Sequence, residues 1–219
     1  PLKFEVSDSG DFTRKIAGGS IAARAENDWC CKTFAEGLEP AESYYFRFIA
    51  PDGSISDIGR TRTLPEGPAD RFRMAVFSCA NIGFGWFNAY AHAAADGNFD
   101  CVLHLGDYFY EYAPGTYPST DETVSGRSVW PSHELVALAD YRERYAAYRQ
   151  DPDLRRLHQL FPMIAVWDDH ESANDSWEGG AENHQPDSEG EWSVRKAAAM
   201  KAYREWMPVS DEPWAEYEV

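Results

Sequence analysis

Three apolar runs in the later part of the chain are each followed at once by side chains that can bind a metal or move a proton. The first run leads into Cys79, the second into GDYFYEY at 106–112, and the third into DDHE at 168–171. Three carboxylates and an imidazole within four residues repel one another unless cations or a wet surface offset the charge. The pattern therefore indicates either a solvated acidic surface or a carboxylate-rich site that needs cations.

The side chains that follow the three runs can lie close together only if the runs form neighbouring strands. The runs 72–78, 100–105 and 161–167 are nearly continuous in apolar residues, which is typical of strands buried on both faces. In open α/β sheets, ligands bind outside the carboxyl ends of the strands, and adjacent strands lie about 4.8 Å apart. We expect the three runs to be adjacent and parallel, so that their terminal side chains reach common cations.

Helix-favouring segments separate these strands. Residues 87–96 are rich in alanine, and 132–150 places apolar residues on one face, with Ser132 as its cap and Asp151-Pro152 as its end. A third helix is predicted over 193–207. Strands alternating with helices predict an α/β fold.

The first 64 residues read as β structure instead. The predicted strands are 2–6, 29–34, 43–49 and 58–64. The last two form a hairpin through the turn PDGS at 51–54, and short strands at this spacing suggest a small sandwich. Pro and Gly in 64–68 end the pattern, so we predict two domains, 1–66 and 67–219.

The charge distribution excludes some partners. The chain has 20 Lys and Arg against 37 Asp and Glu, a formal net charge of −17. Residues 1–65 carry 8 basic and 10 acidic side chains, so 15 of the net negative charges lie in 66–219. This balance argues against a nucleic-acid backbone or an anionic membrane surface as partner, and no apolar stretch is long enough to span a membrane.

Each candidate residue also has an ordinary structural interpretation. Cys79 could be a small buried hydrophobe, Asp107 could cap a turn, and Tyr110 could be part of the core. His104 lies inside the second run and is interpreted as a core histidine. The cluster at 168–171 is the hardest to explain without a cation.

Several ordered motifs resemble the PhoD-like alkaline phosphatases, over nearly the whole chain. These motifs are FSCAN at 77–81, HLGDYFYEY at 104–112, DYRERY at 140–145, WDDHE at 167–171 with NDSW at 174–177, the segment 195–208, LEP at 38–40 with YYFRF at 44–48, and GRTRTLP at 59–65. The resemblance implies a metallophosphoesterase-type α/β fold of layered sheets with flanking helices. It also implies a fibronectin-III-like β-sandwich before that fold, with both domains incomplete in this chain.

The resemblance further implies an iron(III) ion together with calcium ions. Carried over by position, Cys79 and Tyr110 would bind iron, and Asp107 would bridge iron and calcium and take part in catalysis. Iron(III) suits phenolate and carboxylate oxygens, and its charge would keep the Cys79 thiol deprotonated.

The remaining implied residues face calcium and the substrate. Asp169 and Asn174 would bind calcium, which prefers flexible oxygen coordination, and Asp168 is a further candidate ligand. His170 would contact the phosphate or assist the leaving group, as a catalytic residue. Bridged metals can activate water and stabilise in-line displacement at phosphorus.

The implied function is hydrolysis of phosphate monoesters or diesters, on phosphorylated small molecules or lipids, by a secreted or periplasmic protein. The chain is shorter than family members and has no match to their later Asp and His ligands, so we expect the activity to belong to a longer protein. A phospholipase-D-like phosphodiesterase, a non-catalytic adhesion protein with a degenerate domain, and a calcium-stabilised structural protein are the alternatives.

Overall fold

The computed structural model describes residues 1–209 as a mixed α/β chain, and the last ten residues of the predicted second domain lie outside this range. The chain divides into two compact units. The first comprises 1–77, 85–103 and 147–163, and the second comprises 78–84, 104–146 and the described residues from 164. No helix among residues 1–209 is long and apolar enough to cross a membrane.

The first unit contains a four-stranded antiparallel sheet in the order β2-β1-β3-β4. Its strands are β1 (Leu2–Ser7), β2 (Lys15–Ile21), β3 (Ser43–Ile49) and β4 (Gly59–Arg62). The predicted hairpin of 43–49 with 58–64 is confirmed, and its turn has Gly53 at a φ of +86°. The two-sheet sandwich stays a prediction, because the described residues form this one sheet here.

The predicted strand at 29–34 is wrong, and β2 takes its place in the sheet. Asp28 and Trp29 both have positive φ, and this left-handed turn interrupts any extended strand. Strand β2 was not predicted from the sequence, because the strand contains Gly18 and Gly19 and glycine weakens a strand. A Cβ on Gly19 would lie 2.8 Å from the Phe4 ring, so the glycine makes room for the cross-strand aromatic side chain.

The three apolar runs form a separate sheet in the order β5-β6-β7. The strands are β5 (Met74–Phe77), β6 (Cys101–His104) and β7 (Met163–Ala165). The Asp100 N–H donates to Arg73, and further along both strands the Cys79 N–H donates to Gly106. Likewise, the Val102 N–H donates to Pro162 and the Val166 N–H to His104. In each pair of strands, the residue numbers of both hydrogen-bonded partners increase in the same direction. All three strands are therefore parallel, which confirms the expected arrangement.

The predicted burial on both faces is found in the central strand β6 but not in β5 and β7. Met74 and Val76 of β5 are 49% and 52% exposed, and Ile164 of β7 is 54% exposed. In β6, by contrast, the consecutive residues Cys101 and Val102 are both buried. Residues 1–209 leave these side chains of β5 and β7 about half exposed, so the apolar runs predicted more burial at the two outer strands than this part of the chain supplies.

Five α-helices lie within the described residues. They are α1 (Asn88–Asp96), α2 (Leu138–Tyr148), α3 (Pro152–Leu160), α4 (Pro186–Glu189) and α5 (Trp192–Trp206). In the first unit, α1 packs against α3, which also contacts β4. The predicted helices at 87–96 and 193–207 are confirmed as α1 and α5.

The predicted start of the second helix at Ser132 is wrong, because α2 begins at Leu138. The Asp140 carboxylate accepts hydrogen bonds from the N–H groups of Val136 (3.1 Å) and Ala137 (2.7 Å). A side chain in the first turn that reaches back to the capping residue fixes where a helix begins. Asp151 ends the segment as predicted, and it also caps α3 by accepting from Asp153 and Leu154.

Candidate metal centre

Sharp backbone bends turn the side chains after β5 and β6 towards one point. Cys79 and Asp107 both have positive φ, at +58° and +50°. The N–H of Ala80 donates to the Asp107 carbonyl at 2.8 Å, which continues the pairing beyond the strands. As a result, the Sγ of Cys79 lies 3.4 Å from Oδ2 of Asp107. Strained backbone of this kind concentrates at functional sites.

Asp107 is the centre of a group that could hold a metal ion. Asp107, Asp169 and His170 each offer one ligand atom, and these atoms lie within 4.8 Å of one another. The Tyr110 hydroxyl lies 3.4 Å from the same Asp107 oxygen that Cys79 contacts. The fold therefore brings together a thiol, a phenol, an imidazole and two carboxylates that are far apart in the sequence.

The Asp107 carboxylate is a good test of whether these residues fit a cation. Its Oδ1 is buried and makes no hydrogen bond to any of the described residues. Burial raises the pKa of Asp107, and the charges of Asp169 and Asp168 raise it further, against the opposing effects of His170 and Cys79. A bound cation would supply the missing partner and stabilise the ionised carboxylate.

Tyr110 would also need a cation in order to ionise. Its side chain is 8% exposed, and burial together with the charge of Asp107 raises its pKa far above the ordinary value. A phenol in this environment stays protonated at neutral pH unless a metal ion replaces the proton. The donor set thus fits a highly charged metal ion that binds phenolate and carboxylate oxygens.

The other implied calcium ligands lie on the turn after β7. Asp169 accepts from its neighbour His170 (3.0 Å) and from the N–H of Asp175 (2.5 Å), which fixes its carboxylate. The Asn174 side-chain amide donates to Glu182 at 3.1 Å, which leaves its carbonyl oxygen as the atom that could bind a cation. Asp168 is exposed and lies outside the three-residue cluster, where it lines a cavity of about 490 Å³ with Trp167 and other residues.

Glu111 is a site residue to which the sequence analysis gave no role. Its side chain is fully buried, and Oε2 lies 2.8 Å from Nδ1 of His170. Its other oxygen accepts from the Asn174 N–H at 2.6 Å and from the Asn183 amide at 2.8 Å. Burial acts to lower the pKa of His170, but the hydrogen bond and charge of Glu111, with Asp169 and Asp107, raise it overall. Glu111 therefore orients the imidazole and favours its protonated form.

Glu171 has a structural role within the same motif. It is buried, and its carboxylate accepts three backbone N–H bonds, from Asp107 (3.1 Å), Tyr108 (2.6 Å) and Asp168 (2.9 Å). Burial raises its pKa to about 7, although these bonds act in the opposite direction. One carboxylate thus joins the turn after β6 to the turn after β7.

Helix α2 holds the segment that carries Tyr110 and Glu111. Arg144 is 1% exposed, and its guanidinium donates to the carbonyls of Tyr110, Tyr112 and Trp130. A planar guanidinium with several fixed donors can bind three carbonyls at once, so one helical residue orients the whole segment.

Gly106 allows the two turns to approach each other. Its φ is +106°, and a Cβ at this position would lie 2.4 Å from the Asp168 backbone nitrogen. Only glycine meets both requirements, since other residues disfavour this φ and backbone atoms cannot move aside. The fold and the site together define an α/β protein with a candidate metal centre at the carboxyl edge of a parallel sheet.

Comparison with known proteins identifies the family. The sequence model of the PhoD-like phosphatase family matches residues 74–218, and that of its N-terminal domain matches residues 1–65. Alkaline phosphatase D of Bacillus subtilis (strain 168) is 37% identical over 211 residues, which are 95% of this chain and 35% of that protein. The chain belongs to the PhoD-like phosphatase family.

A solved structure described as "Structure of PhoD" agrees with this assignment. It superposes with a TM-score of 0.85 at 35% sequence identity, over 96% of this chain and 39% of that chain. The chain thus spans little more than a third of the length of these relatives.

We predict that Gly106→Ala destabilises the protein much more than Gly126→Ala. Both glycines have positive φ, but nothing lies within 4 Å of a Cβ at Gly126. The control should cost about 1 kcal/mol for backbone strain, whereas the steric conflict at Gly106 should bring the total to about 3 kcal/mol. Urea unfolding of both variants measures the difference, and equal losses would contradict the close approach.

Proposed function

We propose that this protein is a metal-dependent phosphoesterase that hydrolyses phosphate monoesters or diesters. The observation that carries the proposal is the convergence of Asp107, Asp169 and His170 within 4.8 Å, beside Cys79 and Tyr110. The chain belongs to the same family as a protein named alkaline phosphatase D, and this relationship supports the same reaction. The substrate class is a phosphorylated small molecule or lipid.

Iron(III) and calcium are the proposed metals. Cys79, Tyr110 and Asp107 would hold iron, and Asp107, Asp169 and Asn174 would hold calcium. When bound, such ions activate water and neutralise charge on the phosphoryl oxygens. The buried Oδ1 of Asp107 and the protonated Tyr110 phenol support this assignment, since each lacks a stabilising partner for its ionised form.

The charge of the chain supports bound cations as well. A phosphate ester is an anion, and 15 of the 17 net negative charges lie in residues 66–219. An anionic substrate would be repelled by such a surface unless cations reversed the local sign.

His170 is the proposed general acid. Its Nδ1 is engaged by Glu111, so Nε2 is the nitrogen that would give a proton to the leaving alkoxide. The buried carboxylate of Glu111 keeps the proton on Nδ1 and fixes the ring plane. Glu171 and Arg144 act on the backbone, by holding the turns that carry Asp107 and Tyr110.

The remaining features of the proposal concern the whole protein. We propose a β-sandwich domain over 1–66 and a layered metallophosphoesterase domain over 67–219, which the two family matches at 1–65 and 74–218 support. We also propose secretion or a periplasmic location.

We predict a visible absorption band from iron(III) bound to the Tyr110 phenolate. Tyr110→Phe should abolish this charge-transfer band, whereas Tyr112→Phe should retain it. Absorption spectra with elemental analysis of the purified protein test the assignment. A colourless protein without iron would show that the proposed cofactor is wrong.

We predict that Asp107→Asn lowers phosphatase activity at least about a hundredfold, because a neutral amide would hold cations more weakly than a carboxylate. Asp121→Asn, at an exposed position, is the matched control and should keep full activity.

Calcium chelation should abolish the activity of the unmodified protein, and added calcium should restore it. Activity that survives both treatments would exclude the proposed reaction mechanism.

We predict that Glu111→Gln slows poor leaving groups more than good ones. Loss of the carboxylate weakens the acid function of His170, so kcat for an alkyl phosphate should fall about a hundredfold. The loss for 4-nitrophenyl phosphate should be about tenfold at most, since its leaving group needs little protonation. Glu143→Gln, on the exposed side of α2, is the control. Equal losses for both substrates would indicate a structural role only.

A further inference from the structure

Three aromatic side chains extend from the candidate metal centre towards solvent. We call Phe84, Tyr112 and Tyr117 the aromatic shelf. The ring centroid of Tyr117 lies 5.0 Å from that of Phe84, 5.9 Å from Tyr112 and 5.7 Å from Tyr110. At the inner end, Tyr112 lies 5.6 Å from the His170 ring. The shelf is therefore continuous with both the proposed iron ligand and the proposed general acid.

Solvent exposure increases from Tyr110, which lies beside the shelf, to the outer shelf residues Tyr117 and Phe84. Tyr110 is 8% exposed, whereas Tyr117 is 49% exposed and Phe84 is 45% exposed. Phe84 meets Tyr117 edge to face, with an interplanar angle of 74°, and Tyr117 meets Tyr112 at 70°. Because Tyr117 and Phe84 each keep nearly half of their surface exposed, both side chains remain accessible to a further flat group.

The backbone that carries the shelf is fixed by short contacts. The Asn81 side chain donates to the Tyr117 carbonyl at 3.1 Å and accepts from the Gly83 N–H at 3.0 Å. The Gly83 carbonyl accepts in turn from Val124 at 3.0 Å. A Cβ on Gly83 would lie 2.7 Å from the Pro118 ring, so this glycine lets the two loops close on each other. The exposed rings are thus held in place before any ligand arrives, which reduces the entropic cost of binding.

The position of the shelf suggests what it binds. A phosphoryl group held at Asp107 and His170 must direct its organic substituent away from the buried side of the site. The shelf provides an apolar surface that begins beside His170, the residue proposed to protonate the leaving oxygen. The rings are uncharged, so they favour a flat apolar substituent over an anionic one.

We propose that the aromatic shelf is the leaving-group subsite, and that it selects phosphate esters whose alcohol carries an aromatic ring. Tyr117 is the specificity-determining residue, because its ring contacts both other members of the shelf. This inference rests on the proposed function, and it adds the substrate class.

Phosphonate inhibitors test the proposal because they release no leaving group. The measured affinities therefore do not depend on how reactive a leaving group is. The measurements are the inhibition constants of phenylphosphonate and methylphosphonate for the metal-loaded protein. The unmodified protein should bind phenylphosphonate about tenfold more tightly, which is the effect expected of one aromatic contact. In Tyr117→Ala this preference should disappear, with methylphosphonate affected less than twofold. Tyr117→Phe should retain the preference, because it keeps the ring.

Two further variants complete the experiment. Phe84→Ala should reduce the preference about threefold, and it serves as the second test if Tyr117→Ala does not fold. Phe34→Ala removes an aromatic side chain that is 81% exposed and lies outside the shelf, and it should change neither inhibition constant. An undiminished preference in folded Tyr117→Ala or Phe84→Ala would overturn the proposal. The proposal would also be overturned if Tyr117→Ala weakened the binding of octylphosphonate as much as that of phenylphosphonate. The surface would then select apolar groups in general.

The same measurements separate this inference from the proposed function. If neither phosphonate inhibits the unmodified protein, the proposed function fails. If both inhibit equally and the shelf variants change neither constant, the phosphoesterase site stands and only the leaving-group subsite is wrong.

Discussion

The mutual repulsion of five carboxylates at the carboxyl edge of one parallel sheet is the constraint on which the rest of the site depends. Different partners offset their charges. Glu171 accepts three backbone N–H bonds, and Glu111 accepts from His170 and two amide groups. Asp169 accepts two backbone N–H bonds, and Asp168 is exposed. Asp107 alone of the five keeps a buried oxygen with no partner among the described residues, and a cation would complete it.

The carboxylates consequently have two kinds of role. Buried ones such as Glu111 and Glu171 organise the protein, by orienting an imidazole and by joining two turns. Asp107 and Asp169 belong with His170 to the group that could hold a metal ion. The short motif at 168–171 contains both kinds, since Asp169 belongs to that group and Glu171 accepts a hydrogen bond from the Asp168 N–H. Backbone N–H groups can hold it only if a carboxylate is available to accept from them.

Local pattern predicted some elements well and others poorly, for physical reasons. The β3–β4 hairpin has a strong turn signal and alternating aromatic residues, so short-range information was enough. Strand β2 contains two adjacent glycines and exists because β1 pairs with it and the Phe4 ring fills the space above Gly19. The start of α2 depended on the Asp140 carboxylate reaching backwards, which an apolar periodicity extending to Ser132 does not reveal.

The sequence by itself determined which side chains follow the three strands, and hence that Cys79, Asp107, Tyr110, Asp169 and His170 could meet. Parallel strands bring their carboxyl ends to one edge, so the strand order and the conformation of the turns after the strands were the further requirements. Tertiary structure alone assigned the roles of Glu111, Glu171 and Tyr117. Glu171 binds a backbone N–H that lies 63 residues away, and Tyr117 joins the site through rings on other loops. Such partners are chosen by proximity in space, which residue type and local spacing do not encode.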